Sequence, residues 1–569
     1  MENTVKNALE ERLSEQNPTD GTERQSHQKI KKYLTELGVF AAIFACTLIV
    51  FLWGKPLIKN KNMGMAAQAF ITLSLVAVGG TTVYMAITKK LTTRWVVILM
   101  LLAGLALRLG YMLYTPASIR QHDVYAGNSH TGHEGYAWTI YTTNKLPSTN
   151  SWQFYHPPMN ALMQAGFMHF MDGLTGMFDE IFSWFGREGY FPARFAEFKP
   201  AAVTEERYYL FQTCQILAVM YACITCVTLI KTIWLFDFSD KTKLIMAAFV
   251  IFFPRHIAFS GLLNNDPISY MFSMLALYHA LKWWKRGKSV WNILACATFL
   301  GLGMMSKLSS ATIALPIAGI FLYEFIRSLH KKEQALSIQE LFLQYGVFLL
   351  VCAPLGLWFQ IYAGVRFDQA FGYVPGNLGD RLYTGDHSFF KRFIFPFDKD
   401  EFFGSIYCVG FDGNYWLFNF SLRSALFTES SYASGEGFAV TSIVLAYLAA
   451  IALFVALIWT TVRYFKTKKQ GRNLLKESNV SLPDLLFVFL LVQSQALSEI
   501  YFYISAPYAC TMDFRYIMPL ILGIALLIGY TDKILTADGG RGAIVLNRLV
   551  IILSMALMVT ISMFYCACI

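Results

Sequence analysis

Runs of roughly 17–25 apolar residues recur along the whole of this 569-residue chain, each long enough to cross a hydrocarbon core of about 30 Å. No other feature restricts the fold as much, because a chain inside lipid has to satisfy its own backbone N–H and C=O groups. Only 15% of the residues are charged, against about 25% in a soluble domain. The fold class read from this is an all-α integral membrane protein with about thirteen transmembrane helices. They lie near 36–54, 64–88, 94–114, 206–235, 244–262, 267–284, 290–305, 308–326, 341–363, 437–461, 484–506, 514–530 and 548–567. Helical periodicity does not help to place them, since a helix buried in a bundle is apolar all round.

The net charge of +10 calls for no nucleic-acid partner, because Lys and Arg gather in short loops, where they report topology. With the N-terminus inside, the loops at 236–243, 282–289, 327–333, 463–476 and 531–548 are all inside and all basic. One loop disagrees: 55–63, with Lys55, Lys59 and Lys61, falls outside. Five loops outweigh one, and the first hairpin is the weakest part of the topology. Residues 1–35 are polar and lack the apolar core of a signal peptide, so they are expected to form a disordered cytoplasmic tail. Most of the ten cysteines fall inside apolar runs, where the thiol packs as a small hydrophobe. The CxxC of Cys223 and Cys226 reads the same way, rather than as a metal or redox motif.

This orientation leaves two long segments outside, 115–205 and 364–436. The first contains QHDVYAGNSHTGHEGYAWTIYTTNKLPSTNSWQFYHPP, from Gln121 to Pro158, a polar stretch rich in titratable groups between membrane helices. Residues 157–171 and 174–185 follow as two amphipathic strips, too polar on one side to span and suited to lie in the interface. Pro157 and Pro158 are well placed to open the first of them. The second outer segment is aromatic-rich and too long for an idle connector. Its Asp386, His387, Asp412, Asn414, Tyr415 and Trp416 suit either a lid or acceptor site or an ordered outer loop.

Asp123 follows the third helix. It reads as a general base if partial burial holds it near a reacting group, or as a solvated loop acid. Glu134 is the second acid, and a carboxylate also suits the helix start at which it stands. His122, His130, His133 and His156 lie close in sequence, and imidazole with carboxylate suits a transition metal. Their spacing matches no compact metal motif, so hydrogen-bonding or substrate-positioning roles compete with metal binding. Arg108, Arg255, Asp266, Lys307 and Arg515 stand at helix boundaries on the same outer face. Each alone reads as a snorkelling or boundary side chain. Together, fixed cations beside an acidic insert suit a phosphate leaving group. GLGMMSK at 301–307 is not a phosphate-binding loop, because no strand precedes it and the Gly-Lys-Ser/Thr ending is missing.

These residues resemble those of a known family. QHDVY after a first core helix, HEGYAWTIY…KLP, FYHPPMN, LLNNDPISYMFSMLALYHAL, GLGMMSKLSSATIALP and a late FRYIMPLILG follow one another over about 94–530. In that order they are similar to the polytopic GT-C glycosyltransferases, with protein O-mannosyltransferases and aminoarabinose transferases as the nearer look-alikes. The resemblance implies a GT-C core over 94–569, preceded by two added helices in 36–93, with a catalytic outer loop at 115–205 and a lid or acceptor loop at 364–436. It implies inverting transfer of a sugar from a polyprenyl-phosphate donor to an acceptor (protein, lipid or glycan) at the outer or luminal face, among membrane lipids. Asp123 would be the base, with Glu134 its rival, because some members carry an acid pair where this chain has His133-Glu134. Tyr155, His156 and Pro157 would shape the donor pocket. Lys307 and Arg515 would bind phosphate, and Asp266 would orient the sugar or a neighbouring cation. No cofactor is assigned beyond an open divalent metal, with His122, His133 and His156 as candidate ligands. A bacterial cell membrane is the expected location, with the endoplasmic reticulum as the alternative. The competing function is a transporter or lipid-linked sugar flippase, although transporters usually bind near the midplane on broken helices.

Overall fold

The computed structural model describes residues 18–57, 64–121, 123–125, 132–149, 153–186, 190–333, 335–372, 382–394, 401, 406–408, 414–432 and 434–568. Among them there is no strand, only an isolated bridge between Tyr383 and Tyr508. The helices that frame the molecule are α1 (Pro18–Ile49), α2 (Met65–Ile87), α3 (Thr93–Tyr114), α4 (His133–Thr143), α5 (Met159–Ser183) and α6 (Glu205–Ile233). They continue with α7 (Asp240–Ile251), α8 (Pro254–Gly261), α9 (Asp266–Arg286), α10 (Val290–Ser306), α11 (Leu308–Leu329) and α12 (Ile338–Phe367). The last are α13 (Leu417–Phe427), α14 (Glu436–Lys469), α15 (Leu482–Ser505), α16 (Leu520–Asp538) and α17 (Arg541–Cys568).

Helix stands at every one of the thirteen places read from the sequence. Among the described residues, ten stretches are long and apolar enough to span, and α7 with α8 makes an eleventh if the bent pair counts as one. With α9 and α10 these make up the thirteen places. α9, with 21 residues, is more polar than the ten, and α10, with 17, is shorter. α10 packs between α9 and α12. At that crossing a Cβ on Gly301 would come 2.7 Å from Leu355 Cβ, and one on Gly356 2.9 Å from Met304 Sδ. Small residues let helix backbones approach closely where no water is present to drive association.

The 51° bend between α7 and α8 has a local cause. Pro254 opens α8 and cannot donate an N–H, so carbonyls at the end of α7 lose their helical partners. Arg108 Nη2 donates to Ile251 O at 2.9 Å, and His256 Nδ1 lies 3.3 Å from Val250 O. Arg108 is 1% exposed; it braces the break rather than snorkelling. Lys55, from the loop that broke the charge rule, is also buried. Its Nζ donates to Met112 O, to Thr115 O at 2.9 Å and to Gln215 Oε1 at 3.0 Å. A lysine held in this way ties the first hairpin to the ends of α3 and α6 and reports no topology.

The helices run between two chemically distinct ends. At one, the basic loops pair: Lys285 with Asp484 at 2.7 Å, Lys288 with Glu324 at 2.8 Å, Arg463 with Asp538 at 2.6 Å and Lys533 with Asp237 at 3.2 Å. α3 starts at this end, where Thr93 Oγ1 donates to Asp240 Oδ2 at 3.1 Å, and its 22 residues rise about 33 Å to the other end. α9 runs the opposite way, from Asp266 to the paired Lys285. The two amphipathic strips form a single helix, α5, of 25 residues. Ala161, Ala165, Met168 and Met171 on α5 are buried, while Leu162, Met163, Phe170, Met177 and Ile181 are exposed. Phe167 and Phe170 meet Phe44 of α1 with ring centres 6.3 and 6.5 Å apart.

Candidate active site

The far end of the bundle is organised by three glutamines from separate segments. Gln215 Nε2 donates to Thr115 O at 2.6 Å and to Gly261 O at 2.8 Å. Gln121 donates to Gly261 O and accepts the Leu263 N–H at 3.1 Å, while Gln164 Nε2 donates to Leu263 O at 2.7 Å. They fix the turn ahead of α9 against the chain leaving α3. α9 then starts with the Asn264 side chain accepting the Asp266 N–H at 3.1 Å, with Pro267 in its first turn and Asp266 at the positive end of its dipole.

Asp123 lies just beyond Gln121, with φ at 60° and an exposed side chain. An aspartate tolerates the left-handed region better than most residues. Its carbonyl accepts the His133 N–H at 2.8 Å, and that of Val124 accepts the Glu134 N–H at 3.2 Å. The backbone around Asp123 thus caps α4. Gly132, at φ 101°, is required for this, since a Cβ there would come 2.4 Å from Val124 O. Glu134 turns inward, 1% exposed, and Arg207 holds both its oxygens, Nε to Oε1 at 2.5 Å and Nη2 to Oε2 at 2.6 Å. The Arg207 guanidinium lies 5.1 Å from the Trp138 ring centre.

A chain of alternating charge crosses this end. Lys307 Nζ donates to Asp266 Oδ1; Arg515 Nε is 3.9 Å from Asp266 Oδ2 and 3.7 Å from Asp513 Oδ2; Arg255 Nη2 is 2.8 Å from Asp513 Oδ2. All five side chains are at most 13% exposed. Tyr516 lies beneath both site cations, with Lys307 Nζ 4.3 Å and the Arg515 guanidinium 5.1 Å from its ring centre. Burial lowers the pKa of Lys307. His133 and His156 stack with ring centres 5.3 Å apart. Burial pulls the His133 pKa down to about 4 against the opposing pull of Asp123 and Asp266, and burial with the neighbouring His133, Lys307 and Arg515 holds that of His156 well below the ordinary range. Both imidazoles are therefore neutral near pH 7. His133 lies within electrostatic reach of Asp123, Asp266, Lys307 and Arg515 at once.

The structure brings together Asp123, His133, His156, Asp266, Lys307 and Arg515. Tyr155 belongs to the same edge, its ring centre 4.4 Å from that of His156. The His156 carbonyl accepts from Tyr136 Oη at 3.1 Å, and Pro157 leads into α5. Glu134 is close in sequence but engaged by Arg207. His122, His130 and Asp412 lie outside the described residues. Among those described, no group of three or more His, Cys, Asp or Glu is placed to hold a metal ion. In the second outer segment, His387 stacks on Tyr415 at 3.9 Å. The carboxyl of Glu401 accepts from the Tyr415 and Trp416 N–H groups at 3.4 and 3.3 Å, and burial raises its pKa to about 7.

Sequence reasoning missed Asp513, Arg207 and Glu429. Asp513 is fully buried and orients two arginines. Standing two residues before Arg515 at a membrane boundary, it could have been found by the rule that singled out Arg515. Glu429 is 5% exposed and acts electrostatically on Arg515, Tyr516 and Cys510. It follows Thr428, whose φ of 62° is an outlier for a β-branched residue.

Residues 203–358 match the family described as dolichyl-phosphate-mannose-protein mannosyltransferase. The matched stretch holds Arg207, Arg255, Asp266 and Lys307, and neither Asp123 nor Arg515. No curated protein matches the chain significantly.

Proposed function

From the support that this match and the multi-pass helical fold give to a membrane glycosyltransferase of the GT-C type, we propose that the chain transfers a sugar from a polyprenyl-phosphate donor to an acceptor hydroxyl at the outer face. One arrangement carries this reading: the backbone of the exposed Asp123 caps the helix that carries His133, His133 stacks on His156, and Asp123, Lys307 and Arg515 all act electrostatically on the His133 imidazole. That is the set an inverting transfer needs. The acceptor oxygen attacks the anomeric carbon as the carbon–oxygen bond to phosphate breaks. The acceptor proton passes to Asp123, and the lipid phosphate leaves with its new charge against Lys307 and Arg515. Fixed donors aimed at developing charge stabilise such a step without reorganising.

Asp123 is preferred to Glu134 as the base because Arg207 occupies both Glu134 oxygens. Glu134 is given the task of holding α4, and with it His133, in place. The neutral His133–His156 stack offers polar edges to a sugar without adding charge. A donor whose tail stays in the bilayer needs only a lateral opening, and α5, apolar on its exposed side, supports such an entrance. The five basic loops at the opposite end of the bundle support the outer face for the site.

The test is transfer by the purified protein from polyprenyl-phosphate mannose, the sugar being taken from the matched family's description. Asp123→Asn is expected to lower transfer by about 10²–10⁴-fold, the usual contribution of a positioned base, while leaving donor binding intact. Full activity in Asp123→Asn would remove the base assignment, and donor movement without bond cleavage would replace transfer by transport.

A further inference from the structure

A second surface at this end of the bundle is carried by a short helix, Phe389–Phe393, that no step of the proposed reaction uses. Residues 389–394 read FFKRFI, and four of the six are large apolar side chains. Of these, Phe393 turns inward and is 6% exposed, while Phe389, Phe390 and Ile394 are 62%, 49% and 54% exposed. Phe389 and Phe393 stack one turn apart, with ring centres at 4.7 Å. Phe390 and Ile394 repeat that spacing on the adjoining face. A cluster of exposed apolar side chains marks a place where something other than water lies against the protein.

The neighbours of this helix say what that is. Arg392 Nη2 donates to Tyr503 O at 2.8 Å, and the Arg392 guanidinium and the Phe393 ring lie 4.2 and 5.2 Å from the Tyr503 ring centre. Tyr503 stands in the last turn of α15. The 24 residues of α15 rise about 36 Å, a little more than the hydrocarbon core of about 30 Å, so this last turn stands at the membrane boundary. Just beyond it, the Thr384 N–H donates to Pro507 O at 2.8 Å. On α15 itself, Leu497, Tyr501 and Ile504 are exposed one turn apart, an apolar stripe that a spanning helix presents to lipid. The short helix is therefore pinned at the depth where that stripe ends and lipid headgroups begin. Lys391, also exposed, has a stem long enough to keep its ammonium among headgroup phosphates.

We propose that residues 389–394 are a membrane anchor, which lays Phe389, Phe390 and Ile394 into the headgroup boundary of the leaflet at this end. Aromatic and basic side chains favour that layer. The anchor does not depend on the glycosyl-transfer reading. It reaches the site through Tyr503, whose Oη donates to Tyr415 O at 2.6 Å ahead of α13, and through α13, where Ser424 Oγ accepts the Phe514 N–H at 3.0 Å beside Arg515.

The experiment places an environment-sensitive fluorophore on single added cysteines in full-length protein reconstituted into phosphatidylcholine vesicles. The positions are Phe389→Cys, Phe390→Cys, Ile394→Cys and, as the control in water, Asp386→Cys; signal from the parent's own cysteines, labelled in the same way, is subtracted. Quenching by a lipid with a nitroxide at the top of its acyl chain is compared with quenching by aqueous iodide. At 389, 390 and 394 the lipid is expected to remove more of the signal than iodide does, and at 386 less. Adding Phe390→Ser and Ile394→Ser, both at exposed positions, should leave the unfolding midpoint in detergent unmoved and shift the label at 389 from lipid quenching to iodide quenching. Stronger quenching by iodide at all of these positions would put the helix in water, and protection from both quenchers would mean that protein covers it; either overturns the anchor. If a cysteine variant does not fold, the unaltered protein decides: a photoactivatable phosphatidylcholine should form adducts within 389–394, and their absence there overturns the anchor as well.

Discussion

Arg207 holds both oxygens of the Glu134 carboxylate, which is 1% exposed. Removing one partner of a buried pair strands the other, at a typical cost of 3–5 kcal/mol. Arg207→Ala and Glu134→Gln should therefore each lower the unfolding midpoint of the detergent-solubilised protein, the first by stranding Glu134 and the second by leaving the Arg207 guanidinium, 7% exposed, without its anion, and the double variant should lose less than the two losses added. Additive losses would mean that the two side chains pack rather than neutralise one another. His133 makes a second prediction. Its pKa is near 6.5 unfolded and about 4 folded, so the unfolded chain takes up the proton first as the pH falls. The folded state loses stability between about pH 6.5 and 4, by about 1.4 kcal/mol for each pH unit below the unfolded pKa, and nothing is lost above that window. His133→Gln should flatten this part of the stability profile. His156 acts in the same direction, so a smaller slope remains. The candidate residues were legible as types at boundaries: an acid after α3, cations at helix ends, a histidine before two prolines. Their partners were not. Glu134 with Arg207 and Arg255 with Asp513 join positions that only the closed bundle brings together, and a single sequence has no local signal for such pairs.

Among the elements, the helices were legible from length and the polar insert from composition, while the roles of particular helices depended on packing. α10, with 17 residues, packs between α9 and α12. The crossing of α10 on α12 depends on Gly301, where a Cβ already meets Leu355 Cβ at 2.7 Å and Cys352 O at 3.2 Å. Gly301→Val should push the helices apart at a cost of about 1–3 kcal/mol, the usual cost of overpacking. It should also move Lys307, which caps the end of α10. A lower unfolding midpoint together with a raised donor KM is the expected pattern; an unchanged KM would show that Lys307 is positioned by Asp266 alone. Lys55 shows why the first hairpin departs from the charge rule. A count of basic loop residues assumes that each stays in water, whereas Lys55 is 4% exposed, with its charge spent on the carbonyls of Met112 and Thr115.

For the whole molecule, the argument comes down to which leaflet each end of the bundle faces. The paired basic loops and the candidate site lie at opposite ends of α3 and α9, so fixing one fixes the other. Positive residues stay cytosolic during insertion, which is the ground for proposing the outer leaflet for the site; without Lys55 the exception loses one of its three lysines. The assignment can be read with single cysteines at two exposed positions, Asp386, two residues from the Thr384 that bonds Pro507 beyond α15, and Gln470 in the basic loop after α14. A membrane-impermeant maleimide added to intact cells should label Asp386→Cys above the parent's background. Gln470→Cys should react only after the membrane is opened. The reverse pattern would turn the carboxylate and the cations toward the cytosol, where a donor presented in the outer leaflet could not reach them. The same residues would then have to act on an inner-leaflet lipid.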